Sequence, residues 1–301
     1  MEINVKSGAV IIYKEQNMSS QGAVSRLKRL LNEKKAGHTG TLDPLATGVL
    51  PILVGRGVKA SEYIVSEDKH YRATLLLGVT TDTEDITGKV LTECADIPSE
   101  DEVHTATQKM VGRIEQIPPM YSAIKIGGQK LYDLAREGKT VEREPRTITV
   151  YSIKCERIND KEYTLDVHCS KGTYIRTLCA DIGRLLGCGG TMKALERTEC
   201  AGFTLKDAHT LDEIEKMTNE EREALIIPTE ELFRDVEAVR LSPFFARLAR
   251  CGVEIYLKKI SLTAEVGKRF RLFDGEAFFA LGEVREFEDG LAIKPIKQFD
   301  I

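Results

Sequence analysis

Gly37-His38-Thr39-Gly40-Thr41-Leu42-Asp43-Pro44-Leu45-Ala46-Thr47-Gly48 sets one carboxylate in a loop too rich in glycine and threonine to form a helix. Three glycines in twelve residues let the backbone turn tightly and come close to a ligand. Asp43 precedes a proline, which biases its backbone towards the extended region and holds the side chain off the loop. The run at 49–55 (Val-Leu-Pro-Ile-Leu-Val-Gly) reads as a short buried strand. A stiff loop on a buried strand is a good mount for a reactive acid. An isolated Asp-Pro is ordinarily a turn without chemistry, so the rest of the chain has to supply the reason to read this one otherwise.

Working outward, residues 8–14 read as a strand, and Ser19-Ser20 cap a helix with Val24, Leu27, Leu30 and Leu31 on one face. The same helix and its exit carry Arg26, Lys28, Arg29, Lys34 and Lys35, just ahead of the loop. After the buried strand come a short helix at about 57–66, a strong strand at 69–79 and a polar loop at 80–88. A helix near 99–110 precedes a strand pair at about 112–126. Pro118-Pro119 and Gly127-Gly128 bracket 120–126, and the chain from 125 to 146 carries six basic residues against four acidic ones. This stretch reads as a flap, at about 120–148, rather than a core element. Residues 146–158 and 161–170 form a hairpin around Asn159-Asp160. Lys171-Gly172 then turns into a helix with Ile175, Leu178, Ile182 and Leu185 at helical spacing, ended by Gly187. Acidic helices fill about 210–225, and from 236 onward short strands at 270–274, 277–283 and 291–296 suggest a small β-rich domain.

Composition narrows the class. The 301 residues are 42% hydrophobic and 30% charged, enough for a sizeable core and more than one domain. No run approaches the roughly 18 apolar residues of a membrane span, and the first residues lack a signal-peptide layout. The expected protein is cytoplasmic, with no membrane association. Seven cysteines without a C-x-x-C pair and five histidines without H-x-x-x-H spacing argue against a disulfide framework and a zinc site. Net charge is −4, but residues 1–60 carry nine Lys/Arg against four Asp/Glu, whereas 206–240 carry five against eleven. An acidic segment can cancel a basic face in the total without covering it in space.

A second group lies at Ser170-Lys171-Gly172-Thr173-Tyr174-Ile175-Arg176-Thr177, where a strand-to-helix turn holds a cation and an aromatic hydroxyl on either side of an apolar residue. Tyr71, after Asp68-Lys69-His70, opens a strand; an aromatic there is ordinarily core. Taken in order, A-G-H-T-G-T-L-D-P-L-A-T-G at 36–48, D-K-H-Y-R-A at 68–73, Q-I-P-P-M-Y-S-A-I-K at 116–125, C-S-K-G-T-Y-I-R-T-L at 169–178 and L-G-C-G-G at 186–190 make the chain resemble the bacterial tRNA pseudouridine synthase B family, the TruB type. That family converts uridine 55 of the tRNA T-loop to pseudouridine. The resemblance covers about residues 8–205, with a looser fit of the tail to the family's PUA-like RNA-binding domain. One departure is Lys14-Glu15, where the family usually has Lys-Pro.

The resemblance implies an α/β (α+β) pseudouridine synthase fold: a mixed, mostly antiparallel sheet flanked by helices over 1–235, then a PUA-like β domain over 236–301. It makes Asp43 the catalytic nucleophile, with Arg176 as its partner. An adjacent arginine is expected to lower the carboxyl's pKa by about 1–3 units. The resemblance has Tyr71 stack on the extruded base and serve proton transfer at C5, Tyr174 and Leu195 line the pocket, and His38 fill the space the base vacates. Isomerisation involves no net redox or hydrolysis, so no cofactor and no metal is expected. The partner is tRNA through its T-arm, contacted by Arg26, Lys28, Arg29, Lys34, Lys125, Lys130 and the tail, and nothing demands more than a monomer. A non-catalytic RNA-binding or RNA-folding protein would need neither Asp43 nor Arg176. A sugar or nucleoside hydrolase would need a second carboxylate, and none is evident beside the loop motifs.

Overall fold

The loop runs directly into the centre of a sheet. Every residue of the Thr47–Val54 strand from Gly48 on is buried, and its side chains alternate between two cores. Leu50, Ile52 and Val54 join one cluster, with Val10 and Ile12 of the Gly8–Lys14 strand. Val49 and Leu53 join another, with Ala9 and Ile11. A strand covered on both faces reads as a continuous apolar run, which is why the sequence here shows no alternation.

The computed structural model describes residues 7–64, 68–122 and 124–299. Among these, a ten-stranded sheet runs in the order Ile227–Pro228, Gly8–Lys14, Thr47–Val54, Gly190–Cys200, Lys69–Leu77, Glu162–Cys169, Arg146–Arg157, Gly112–Gln116. Ala36–His38 and Phe203–Thr204 pair off this path. The contact between Thr47–Val54 and Gly190–Cys200 is parallel and its neighbours are antiparallel, so the sheet is mixed and mostly antiparallel, as expected. The Ser20–Leu30 helix is capped by Ser19, whose side chain accepts the Gly22 N–H. The Ile175–Leu186 helix ends at Gly187. It lies so close to the sheet that a Cβ on Gly183 would stand 2.1 Å from the Gly190 amide nitrogen. The L-G-C-G-G run is thus a close-approach site between helix and strand.

Three expectations are revised ahead of the tail. The strand from Lys69 stops at Leu77, because Gly78 takes φ of +82° and sends Val79–Thr81 into a separate hairpin with Val90–Glu93. Instead of a strand pair over 112–126 there is one strand, Gly112–Gln116, and a small hairpin of Lys125–Ile126 with Gln129–Lys130, followed by the Leu131–Arg136 helix. The region at 57–66 is a 3-10 turn, Gly55–Ala60, leading into Ser61–Ile64; residues 65 and 66 lie outside the described set.

In the tail, Ala238–Leu241, Arg269–Asp274, Ala277–Phe287, Gly290–Gln298 and Ile255–Tyr256 form a five-stranded sheet in that order. A helix, Pro243–Arg250, is added where only strands were read. Its Ser-Pro start and the spacing of Phe245, Ala246, Leu248 and Ala249 are a helix signal in a segment whose neighbours favour strands. The two sheets share a core: Ala9, Ile11, Val49 and Leu53 pack with Phe233, Leu281 and Phe299. Lys59 Nζ donates to the Gln298 carbonyl at 3.0 Å across the same junction.

Candidate active site

Asp43 is held by ties on both sides of it in the chain. Ser20 Oγ donates to the Leu42 carbonyl and accepts the Leu42 N–H, both at 2.8 Å. The Pro44 carbonyl accepts the Asn17 N–H at 2.8 Å. Lys14, fully buried, donates from Nζ to the carbonyls of Met18 at 2.7 Å and Glu15 at 3.0 Å. Its ammonium therefore closes the turn that lacks the family's proline. Burial holds the Lys14 amine down to about 8, with Asp43 pulling it back up.

Arg176, in the first turn of the Ile175–Leu186 helix and 5% exposed, points Nε at Asp43 Oδ2 at 3.0 Å. Acid and guanidinium, far apart in sequence, thus meet as the sequence implied. Its other two nitrogens are engaged as well: Nη1 donates to the Thr83 carbonyl at 3.2 Å and Nη2 to the Tyr121 carbonyl at 2.8 Å. A second carboxylate, Asp85, stands 3.6 Å from Nη1, which corrects the reading that none accompanies the loop. Asp85 is buried, and its Oδ1 accepts the Thr87 N–H and the Thr83 hydroxyl, both at 2.9 Å, and the Thr87 hydroxyl at 2.5 Å. Beside it Glu84 takes φ of +63°, a left-handed conformation unusual for that residue. Its carboxylate accepts the Thr177 hydroxyl at 2.5 Å. The polar loop is therefore a bracket for Arg176.

The electrostatics correct a further expectation. Desolvation raises the Asp43 pKa and outweighs Arg176; Asp85 adds to the rise and Lys14 opposes it. The net direction is up, not down, although the side chain keeps 35% exposure.

Tyr174 is the N-cap residue of the Arg176 helix, and buried Gln116 clamps it. Gln116 Oε1 accepts the Tyr174 N–H at 2.8 Å and its Nε2 donates to the Tyr174 carbonyl at 3.1 Å. Burial raises the Tyr174 phenol, with Ser122, Arg146 and Arg176 opposing. Leu195 and Tyr71, each 8% exposed, share one core cluster with Leu42, Ala46 and Ile175. Burial pushes the Tyr71 phenol up to about 12. His38 is half-buried, its Nδ1 has no hydrogen-bond partner, and burial followed by Arg197 lowers its pKa, which favours the neutral imidazole. Two guanidiniums thus divide the groups: Arg176 contacts Asp43 and Asp85 and acts electrostatically on Tyr174, whereas Arg197 acts on Tyr71 and His38. Arg197 and Asp85 were missed in the sequence, where each lies among polar neighbours that read as solvent-facing.

Of the basic residues, Arg26 is taken by the acidic segment. It pairs with Asp212 at 2.6 Å and with Glu215 of the Leu211–Lys216 helix, so it is not a free RNA contact. Lys28, Arg29 and Lys34 are exposed. The side chains of Lys125 and Lys130 lie outside the described set. Among the described residues no helix is long and apolar enough to cross a membrane, and no three His, Cys, Asp or Glu side chains group to hold a metal.

Residues 28–175 match the TruB family pseudouridylate synthase N-terminal domain, and 176–234 match the tRNA pseudouridylate synthase B C-terminal domain. The tRNA pseudouridine synthase B of Clostridium tetani is 44% identical over 279 residues, covering 92% of this chain and 95% of that protein. That of Francisella philomiragia is 41% identical over 297 residues, covering 98% and 95%. A crystal structure of a Cbf5–Nop10–Gar1 complex superposes with a TM-score of 0.71 at 23% identity, over 99% of this chain and 86% of the other, a likeness of fold. With near full-length relatives above 40% identity and both domain matches in order, the chain belongs to the TruB family of pseudouridylate synthases.

Proposed function

We propose that this chain isomerises uridine 55 in the T-loop of tRNA to pseudouridine, without a cofactor. The observation that carries the reading is the Asp43 carboxylate held 3.0 Å from Arg176 Nε on a loop tied at both sides. The uridine is flipped out of the folded loop at a cost of a few kcal/mol. Asp43 acts as the nucleophile or as the stabiliser of a cationic sugar. The N1–C1′ bond breaks, the uracil turns, C5 joins C1′, the C5 proton leaves and N1 gains one. Arg176 orients the acid. Tyr71 carries the base and takes the C5 proton, Tyr174 and Leu195 wall the slot, and His38 fills the vacated space.

The second carboxylate does not favour a hydrolase. Asp85 Oδ1 accepts three hydrogen bonds and Oδ2 faces Arg176, so it has no free oxygen with which to activate water. In this reading residues 1–235 form the catalytic domain and 236–301 a PUA-like RNA-binding domain. The chain acts as a monomer in the cytoplasm, gripping the T-arm through Lys28, Arg29, Lys34, Lys125, Lys130 and the tail.

The test is tRNA carrying tritium at C5 of its uridines. The expected result is release of label to water without strand or base loss, abolished when uridine 55 is replaced by cytidine. Equal release from the replaced tRNA would remove the site assignment, and base loss would point to hydrolysis.

A further inference from the structure

Arg197 is the largest fully buried side chain among the described residues. It lies on the Gly190–Cys200 strand with Gly48 of the Asp43 loop's exit on one side and Tyr71 on the other. The register shifts immediately after it, between Arg197 and Glu199, and such a bulge aims a side chain differently from a regular strand. Nε donates to the Val49 carbonyl at 2.7 Å and Nη2 to the Gly40 carbonyl at 3.2 Å. Those carbonyls stand before and after Asp43. Nη1 is buried and has no hydrogen-bond partner. No carboxylate pairs with this guanidinium among the described residues, and its charge lowers both His38 and Lys14. An unpaired cation in a core is expensive, and an apolar side chain of similar volume would fill the space at less cost. A purely structural pin does not explain the charge.

We propose that Arg197 is a positioning residue for both halves of the reaction, its Nε and Nη2 fixing the backbone that aims Asp43 while its guanidinium, in register with Tyr71 on the neighbouring strand, favours the phenolate that accepts the C5 proton. The inference rests on the reading that Tyr71 takes that proton. Tyr71 first gives its own proton to solvent. The C5–H proton then passes to the phenolate oxygen, the bonding pair returns to the ring as the C5–C6 double bond, and N1 takes a proton from solvent. Burial works against the phenolate, and the Arg197 guanidinium is the foremost influence opposing it.

The experiment compares full-length Arg197→Met and Arg197→Lys with the unaltered chain in single-turnover pseudouridine formation, as a function of pH, from RNA with protium or deuterium at C5 of the target uridine. Arg197→Met removes the charge, so phenolate at a given pH falls about tenfold or more. Formation is expected to slow accordingly, to acquire a primary isotope effect, and to climb with pH. Arg197→Lys keeps a charge but not the two carbonyl bonds; it is expected to slow turnover with little isotope effect. Equal losses in both variants, with no isotope effect and parallel pH profiles, would reduce Arg197 to a strut and overturn the proposal.

Should Arg197→Met fail to fold, arginine nitrogen NMR of the otherwise unaltered chain decides. Tyr71→Phe is expected to shift the Arg197 Nη signals, and unshifted signals overturn the proposal. A wild-type chain that releases no tritium would instead defeat the isomerase reading, whatever the nitrogen spectra show.

Discussion

An acid that attacks in its ionised form gains nothing from burial alone, and Asp43 sits between those demands. Its pKa is raised by desolvation first, with Arg176 opposing, Asp85 adding and Lys14 opposing. The ionised fraction grows as pH climbs through the raised value, so the acid limb of kcat against pH is expected above the ordinary carboxylate range. Asp85→Asn removes a like charge and should move that limb to lower pH. It should also cut kcat by roughly 10–100-fold at unchanged tRNA affinity, since Arg176 loses half its bracket. A limb that stays put or moves up would contradict the assignment. Stability follows the same sign. A carboxyl with a raised folded pKa contributes most while protonated, and that contribution is lost as pH rises through the folded value. Asp43→Asn, which mimics the protonated acid, should therefore melt above wild type near neutral pH, with the gap closing in acid; a constant gap speaks against it. Asp43 and Arg176 stood out only through the family resemblance, whose motifs hold both; alone, each lies in what reads as an ordinary turn. Asp85 lies in Thr-Asp-Thr-Glu-Asp and Arg197 in Leu-Glu-Arg-Thr-Glu, stretches that read as solvated. Only the tertiary fold, which brings Arg176 to one and encloses the other, takes them out of water.

Elements explain why the loop holds its shape. Gly48 takes φ of +103°, and a Cβ there would meet the Arg197 carbonyl oxygen at 2.3 Å, backbone against backbone. Gly48→Ala is expected to destabilise by about 2 kcal/mol or more and to lower activity beyond that loss, measured by denaturant melts alongside turnover. An unchanged midpoint would show that the contact yields freely. The basic helix makes a different prediction. Arg26 is engaged with Asp212 and Glu215, so Arg26→Gln should leave the salt dependence of tRNA binding unaltered. Lys28→Gln, Arg29→Gln or Lys34→Gln should each reduce the slope by about 1. The reverse pattern would move the RNA surface elsewhere. Strands with one apolar face, such as Glu162–Cys169 with its strict alternation, were read correctly from period alone. The Pro243–Arg250 helix was not, because a two-turn helix between strands offers too few repeats to override its surroundings.

Across the whole molecule the two sheets are joined by apolar packing rather than by a linker, through Ala9, Ile11, Val49 and Leu53 against Phe233, Leu281 and Phe299. An apolar junction of this kind resists relative motion. The full chain is expected to melt in one calorimetric transition, and a chain ended at residue 235 to expose that face and aggregate. Two separated transitions would mean the units fold independently. Sequence could place the small β unit but not this junction, because residues that meet there are spread from the first strand to the last. The proposed role of Asp43, aimed by Arg176, in the isomerisation is open to rapid-quench single turnover of uridine-55 T-arm RNA with saturating wild type and Asp43→Asn. The expected result is stoichiometric pseudouridine from wild type. The variant is expected to bind the RNA with wild-type affinity yet be slowed at least roughly a thousandfold. Conversion by the variant at a comparable rate would contradict it.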